Sequence, residues 1–202
     1  MKEGIVPRSG IDTDARWGFS HTRGWIFGYK LHIVSSTHSI VVPLTADVTI
    51  GNTPDNQVYP DLTSSSPNNL SLKTIKKIHH MVVADQGYDD QSLYELSLRI
   101  GIHLVYPVRR YRKTPEERLK LIDFYESPLG QVIYSNRSIS VEPLIEQIKS
   151  VFRIDPVPAR GYDKVHNIVL LSVLLYQLLV YYNCKIQKKN SSRRMIKYML
   201  GC

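Results

Sequence analysis

His79–Tyr88, HHMVVADQGY, is the stretch that decides the fold. Met81, Val82, Val83 and Ala84 run without polar alternation, which suits a strand covered on both faces, and Gln86-Gly87 breaks the run. Asp85 then stands at the strand's C-terminal end. Beyond it, Asp89 or Asp90 offers a cap for a helix carrying Leu93, Leu96 and Ile100, with Gly101 to close it. A buried strand delivering a helix predicts an α/β protein. In open sheets of that class, ligands and metals gather outside the carboxyl ends of the strands, so Asp85 is a candidate for chemistry. An aspartate at such a turn also serves simply to accept backbone N–H groups, and both uses stay open.

Working outward, His103–Val108 reads as a further buried strand. Upstream, Gly24–Ser35 (GWIFGYKLHIVS) alternates Tyr29, Leu31 and Ile33 against Lys30 and His32 and predicts a strand. Ser36–Ser39 makes a turn, and Ile40–Thr49 is the second arm of a hairpin whose Pro43 marks an edge or a bulge. Residues 1–24, punctuated by Gly4, Pro7, Gly10, Gly18 and Gly24, read as loop. Residues 51–71 are rich in Asn, Pro, Ser and Thr and read as loop with one helical turn around Gln57–Leu62.

Arg109–Lys120 (RRYRKTPEERLK) holds six basic residues with Tyr111 among them. As a cluster, Arg109, Arg110, Arg112 and Lys113 suit a phosphate-tracking segment with an aromatic ring for stacking; singly, each is an ordinary solvated side chain. Thr114-Pro115-Glu116-Glu117 is a helix-start pattern. Ser140–Ile154 has helical period through Val141, Leu144, Ile145, Ile148, Val151 and Phe152. Glu142, Glu146 and Lys149 share a neighbouring stripe, which makes either a solvated flank with a Glu146–Lys149 pair or a wall that turns Glu142 toward Asp85. Pro143 disfavours helical backbone at Glu142, which predicts Glu142 at the cap. Val165–Cys184 is nearly long enough to cross a bilayer, but His166, Asn167, Ser172, Gln177 and Asn183 interrupt it and favour a packing helix over a membrane span.

The 202 residues carry a formal charge of +8, a surplus that attracts polyanions and points to nucleic acid as partner. Composition is that of a globular chain long enough for a full core. Cys184 and Cys202 are the only cysteines, without the spacing of a zinc site or a disulfide framework, which fits a reducing cytosol. MKEGIVPRSG lacks the apolar core of a secretory signal.

Four segments together resemble the catalytic domain of DDE-type insertion-sequence transposases. They are DTDARWG (12–18) with FGYKLH (27–32), LTADVTIGNTPD (44–55), VADQGYD (83–89), and Tyr134, Arg137, Glu142 and Lys149, which match a Tyr, Arg, Glu, Lys signature in which Arg137 to Glu142 is one residue longer than the usual pattern. Arg160–Asn183 is similar to the closing arginine-glycine and apolar helix of that domain. The resemblance implies an α/β, RNase H-like mixed sheet flanked by helices over residues 1–184, followed by a basic tail over 185–202. It further implies Mg²⁺ or Mn²⁺ held by Asp85 and Glu142, Arg137 and Lys149 on DNA phosphate or positioning the acid, and DNA of transposon ends and target as partner. Homodimers acting in a prokaryotic cytoplasm, without a membrane, belong to the same picture.

Such sites need clustered acids because paired divalent ions stabilise the attacking and leaving oxygens of a phosphodiester. In the family the first catalytic aspartate lies on a first strand upstream of the DTDARWG-like segment, and no such run precedes Asp12. The expectation is therefore an N-terminally truncated domain, lacking its first strand and one metal ligand, inactive alone unless an upstream split product supplies them. The competing expectation is a basic nucleic-acid-binding remnant without catalysis.

Overall fold

A computed structural model of the chain describes residues 11–20, 24–37, 40–65 and 80–185. The loop expected before residue 11, the tip of the expected turn at 38–39, the end of the expected loop at 66–71 and the basic tail beyond Lys185 lie outside the described residues.

A strand stands where loop was expected. Arg16–Ser20 forms β1 and pairs antiparallel with β2, Gly24–Ser35, from Arg16↔Gly28 to Ser20↔Gly24. Glycine punctuation hid it, while the alternation that makes it is aromatic. Trp17 meets Phe27 at 5.3 Å between ring centroids, and Phe19 meets Trp25 at 5.4 Å, the kind of cross-strand contact that stabilises a ribbon. Gly18 is required: a Cβ there would stand 2.2 Å from the Gly51 carbonyl oxygen.

The expected hairpin is present. β2 begins and ends at the expected residues, and β3, Pro43–Ile50, pairs with it antiparallel from Tyr29↔Ile50 onward. The register shifts between Val34 and Ser35, opposite the start of β3 at Pro43, which is the irregularity that a proline without an N–H imposes. On β2 the even and odd residues part company: Tyr29, Leu31 and Ile33 pack on the larger core, while Lys30 and His32 turn toward Asp55.

Asp55–Ser65 is a three-turn helix, α1, not the single turn expected within a loop. Its polar composition and Pro60 obscured a buried stripe of Val58, Tyr59 and Leu62. β4, His80–Val83, pairs in parallel with β5, Ile102–Val105, through the expected αβ unit: Asp90 caps α2, Gln91–Arg99, and Gly101 closes it at φ +76°. Three helices follow, α3 (Glu116–Glu126), α4 (Pro128–Ile139) and α5 (Val141–Phe152). Thr114 marks the start of α3 but leaves its N–H groups uncapped, bonding Tyr111 instead. Glu142 is the second residue of α5, inside the first turn and not at the cap. The correction has a simple cause: Pro143 is the third helical residue, where no intrahelical N–H is needed.

α6, Tyr162–Lys185, is the expected apolar helix. It is the one described helix long and apolar enough to cross a membrane, yet one face is built into the core. Val165, Val169, Val173, Tyr176 and Val180 pack with Val48 of β3 and with Leu144, Ile148 and Val151 of α5. A smaller core holds Tyr59, Leu93, Ala84, Leu104 and Tyr106 between α1, α2 and the parallel pair. The result is mixed α/β, but the antiparallel and parallel parts are separate sheets among the described residues, where a single mixed sheet was expected. Between them lies a cavity of about 1820 Å³ lined by β2, β4 and residues of both cores.

Asp12 and Asp14 tie the start of the described chain to α6. Asp12 accepts from Gly161 N at 2.9 Å and from the Tyr29 hydroxyl at 2.8 Å, and Asp14 accepts from Tyr162 N at 2.9 Å. Acids at a helix N-terminus satisfy open N–H groups and the positive end of the dipole. Burial pushes the Asp12 carboxyl up, but the donors from Gly161, Tyr29, Asp14 and Ala15 outweigh it and hold the group below its ordinary 3.8. A depressed folded value means stability that is fully present above 3.8 and is lost as pH falls through the lowered value. Asp12→Asn is therefore less stable than the parent at pH 7, and the gap closes in acid. Urea midpoints measured from pH 7 downward check this; a gap independent of pH contradicts it.

Candidate functional site

The buried run of β4 ends where Asp85 begins a turn. Asp85 takes extended backbone and its Oδ1 accepts from Gly87 N at 2.9 Å, capping a 3-10 turn over Gln86–Tyr88. The turn use of this aspartate is thus realised by one oxygen. The other, Oδ2, lies 3.8 Å from Arg137 Nη2. The same nitrogen lies 3.4 Å from Glu142 Oε1, so the two carboxylate oxygens are within about 7 Å of each other. Arg137 sits near the end of α4 and Glu142 at the start of α5, separated only by the Ser140 junction, which is why residues five apart in sequence share a partner.

Asp85 and Arg137 line the cavity together with Arg109 and Lys149; Glu142 does not line it and reaches the site through Arg137. Lys149 also makes the expected pair along α5, at 3.9 Å from Glu146, and a second with Asp155 at 3.5 Å. Of the other basic candidates, Arg110 pairs at the surface with Glu126 at 2.9 Å. Arg112 and Lys113 are exposed in the loop between β5 and α3. None of these three lines the cavity.

Several residues at the site were not singled out from sequence. Asp55 opens α1 and receives Lys30 Nζ at 3.1 Å. A Cβ on Gly87 would stand 3.0 Å from Asp85 Oδ1 and 3.6 Å from Asp55 Oδ2, so the glycine sits between two carboxylates, where a side chain would crowd Asp85 and touch Asp55 at ordinary contact distance. His32 is buried and bonds Thr49 Oγ1 at 2.9 Å. Burial lowers its pKa, and Lys30 adds to that against the pull of Asp55 and Asp47, so it is neutral at pH 7. Tyr88 is pushed far above the usual tyrosine value by burial first, then by Asp55 and Asp85. The available signal was Lys30 and His32 at alternate positions of one strand, a polar stripe on a strand otherwise apolar.

Among the described residues no three His, Cys, Asp or Glu side chains gather to hold a metal ion. Asp85 and Glu142 flank one guanidinium nitrogen. Two oxygens held by one Mg²⁺ at about 2.1 Å stand no more than about 4 Å apart, so the pair would have to close in, with Arg137 leaving, before sharing an ion.

A family profile described as Transposase DDE domain matches residues 5–178, most of the chain. No curated protein and no solved structure matches it.

Proposed function

Because the chain belongs to the transposase DDE domain family, we propose that it is the catalytic part of an insertion-sequence transposase, built for metal-dependent DNA strand cleavage and strand transfer. The observation that carries the reading is the single Arg137 nitrogen in reach of both Asp85 and Glu142: it draws two acids from separate elements to one point. Asp85 and Glu142 would hold one divalent ion, Mg²⁺ or Mn²⁺, which when bound supplies a Lewis acid at the scissile phosphate. In cleavage a water oxygen attacks phosphorus and the bond to the 3′ oxygen breaks; in transfer the freed 3′-hydroxyl attacks a target phosphodiester and displaces the target's own 3′ oxygen.

The chain's residues bind and orient. Arg137, released from the acids, pairs with a DNA phosphate, and Lys149 and Arg109 face the same cavity. Arg110, Arg112 and Lys113 extend the basic track along the DNA backbone. Transposon ends and target DNA are the substrates, engaged by paired copies of the chain on prokaryotic DNA. Two carboxylates make a weak metal site, so turnover by these 202 residues alone is low.

A second reading follows from the same guanidinium: Arg137 already stands between the two acids where a cation would and offsets one of their two charges, which suits a DNA-binding protein without catalysis. Mn²⁺ titration decides between them. On the catalytic reading the parent binds Mn²⁺, and Asp85→Asn and Glu142→Gln each weaken binding about tenfold or more, at least the effect of losing a supporting group at a metal site. Mn²⁺ binding that both substitutions leave unchanged, beside salt-dependent DNA binding indifferent to metal, sinks the catalytic reading in favour of the second.

A further inference from the structure

We propose that Asp55 is a positioning residue for Asp85, set in place by Lys30 of β2 and acting across Gly87. The inference rests on the reading of Asp85 as a metal ligand and adds a residue to that site. Lys30 Nζ donates to the Thr53 carbonyl at 2.8 Å and to Asp55 Oδ1 at 3.1 Å. One ammonium thus closes the loop between β3 and α1 and fixes the rotation of the Asp55 carboxylate. Oδ2 is the oxygen that faces Gly87, 3.6 Å from where a Cβ would stand.

Gly87 is the middle residue of the turn over Gln86–Tyr88, and its N–H donates to Asp85 Oδ1 at 2.9 Å. The same Cβ position lies 3.0 Å from that oxygen, so Asp55 Oδ2 and Asp85 Oδ1 stand within about 7 Å of each other across the glycine. Two carboxylates at this range repel, which opposes rotation of Asp85 toward α1. The Asp85 carboxylate is left with one orientation, Oδ1 on the turn and Oδ2 on the side of Arg137. An acid that must close on an ion shared with Glu142 loses less freedom in doing so when its oxygen already points that way.

Neighbouring residues of α1 hold the same turn. Asn56 Nδ2 donates to Asp90 Oδ2 at 3.2 Å, the Tyr59 ring meets Tyr88 edge-on at 5.8 Å between centroids, and the Tyr59 hydroxyl lies 2.7 Å from Ser97 Oγ. These contacts seat α1 on the turn, and none of them involves Asp85. Asp55 carries that placement to the Asp85 carboxylate. The Lys30–Asp55 pair is one third exposed on each side, and ion pairs open to water add little to stability. Its effect lies in orientation.

The test compares Lys30→Met, Lys30→Arg and Asp55→Asn with the parent, each as the full chain. In metal-free buffer, amide hydrogen exchange is read at Gly87, whose N–H marks the Asp85 turn, and at Ala84, whose N–H pairs with Val105 O at 3.0 Å. Lys30→Met and Asp55→Asn speed exchange at Gly87 about tenfold and leave Ala84 unchanged. Lys30→Arg, which keeps the charge and the donors, behaves as the parent. Equal acceleration at both amides is general loosening and overturns the proposal, as does an unmoved Gly87. Mn²⁺ titration is the second readout. Positioning makes Mn²⁺ binding about tenfold weaker in Lys30→Met, whereas the bare loss of a nearby positive charge tightens it. Equal or tighter binding in Lys30→Met therefore also overturns the proposal. A parent that binds no Mn²⁺ defeats the catalytic reading instead, and exchange at Gly87 still decides whether Lys30 and Asp55 orient Asp85. Unmoved exchange beside Mn²⁺ binding by the parent removes Asp55 from the site and leaves the catalytic reading standing.

Discussion

Asp89→Ala lowers the free energy of unfolding by about 3–5 kcal/mol, the range for stripping one partner from a buried ion pair. The Asp89 side chain is 2% exposed and that of Arg118 11%. Both Asp89 oxygens accept from Arg118 Nη2, at 2.5 and 2.6 Å, and Oδ2 also accepts from Arg109 N at 2.9 Å. Arg118 in turn donates to the Arg109 carbonyl and stacks over Tyr111 with its guanidinium carbon 5.2 Å from the ring centre. This pair clamps the basic loop after β5 to the turn that carries Asp85. Alanine leaves a buried guanidinium with nothing to answer its charge. The double change Asp89→Leu with Arg118→Met removes the charge along with its partner and recovers most of the loss. Urea denaturation of the three proteins checks both statements, and a loss below about 1 kcal/mol for Asp89→Ala, the size typical of an exposed pair, removes the clamp from the account.

Leu144→Ala costs about 2–5 kcal/mol, the span for a large-to-small change in a closed core. Leu144 is fully buried among Ile148, Val169 and Val173. It stands two residues after Glu142, on the opposite, buried face of the first turn of α5, so the cavity loosens the turn that carries the acid. The substitution consequently weakens Mn²⁺ binding as well as stability, whereas a core change far from the site, such as Val180→Ala on α6, affects stability alone. Urea midpoints and Mn²⁺ titration on the two variants separate these effects. Equal Mn²⁺ affinity in both contradicts the link between the core and Glu142.

What sequence made legible follows from which forces act locally. The β2–β3 hairpin, the β4–α2–β5 unit and α6 rest on periodicity and caps, which reside within a dozen residues of one another. β1 and α1 rest on partners elsewhere in the chain. Gly18 looks like a loop residue until the Gly51 backbone is placed against it, and Val58, Tyr59 and Leu62 look like an accident among polar residues until the folded chain buries all three, Tyr59 in the smaller core with Leu93 and Leu104. At the site, Asp85, Arg137 and Glu142 were legible through a family resemblance, which fixes residue types at spacings. Asp55 and Lys30 were not, because their meeting with the Asp85 turn is made by the crossing of α1 over β2, and no spacing within one segment encodes that.

Both tryptophans of the chain, Trp17 and Trp25, stand on the β1–β2 ribbon, 40% and 58% exposed. Neither belongs to either core. Intrinsic fluorescence is therefore a gauge of this ribbon and not of the molecule: emission is that of solvated indole in the native state and open to collisional quenching. Fraying of β1 from β2 would alter the spectrum while the helices still give their full circular dichroism, so an unfolding curve read by fluorescence and one read by ellipticity separate whenever the ribbon opens first.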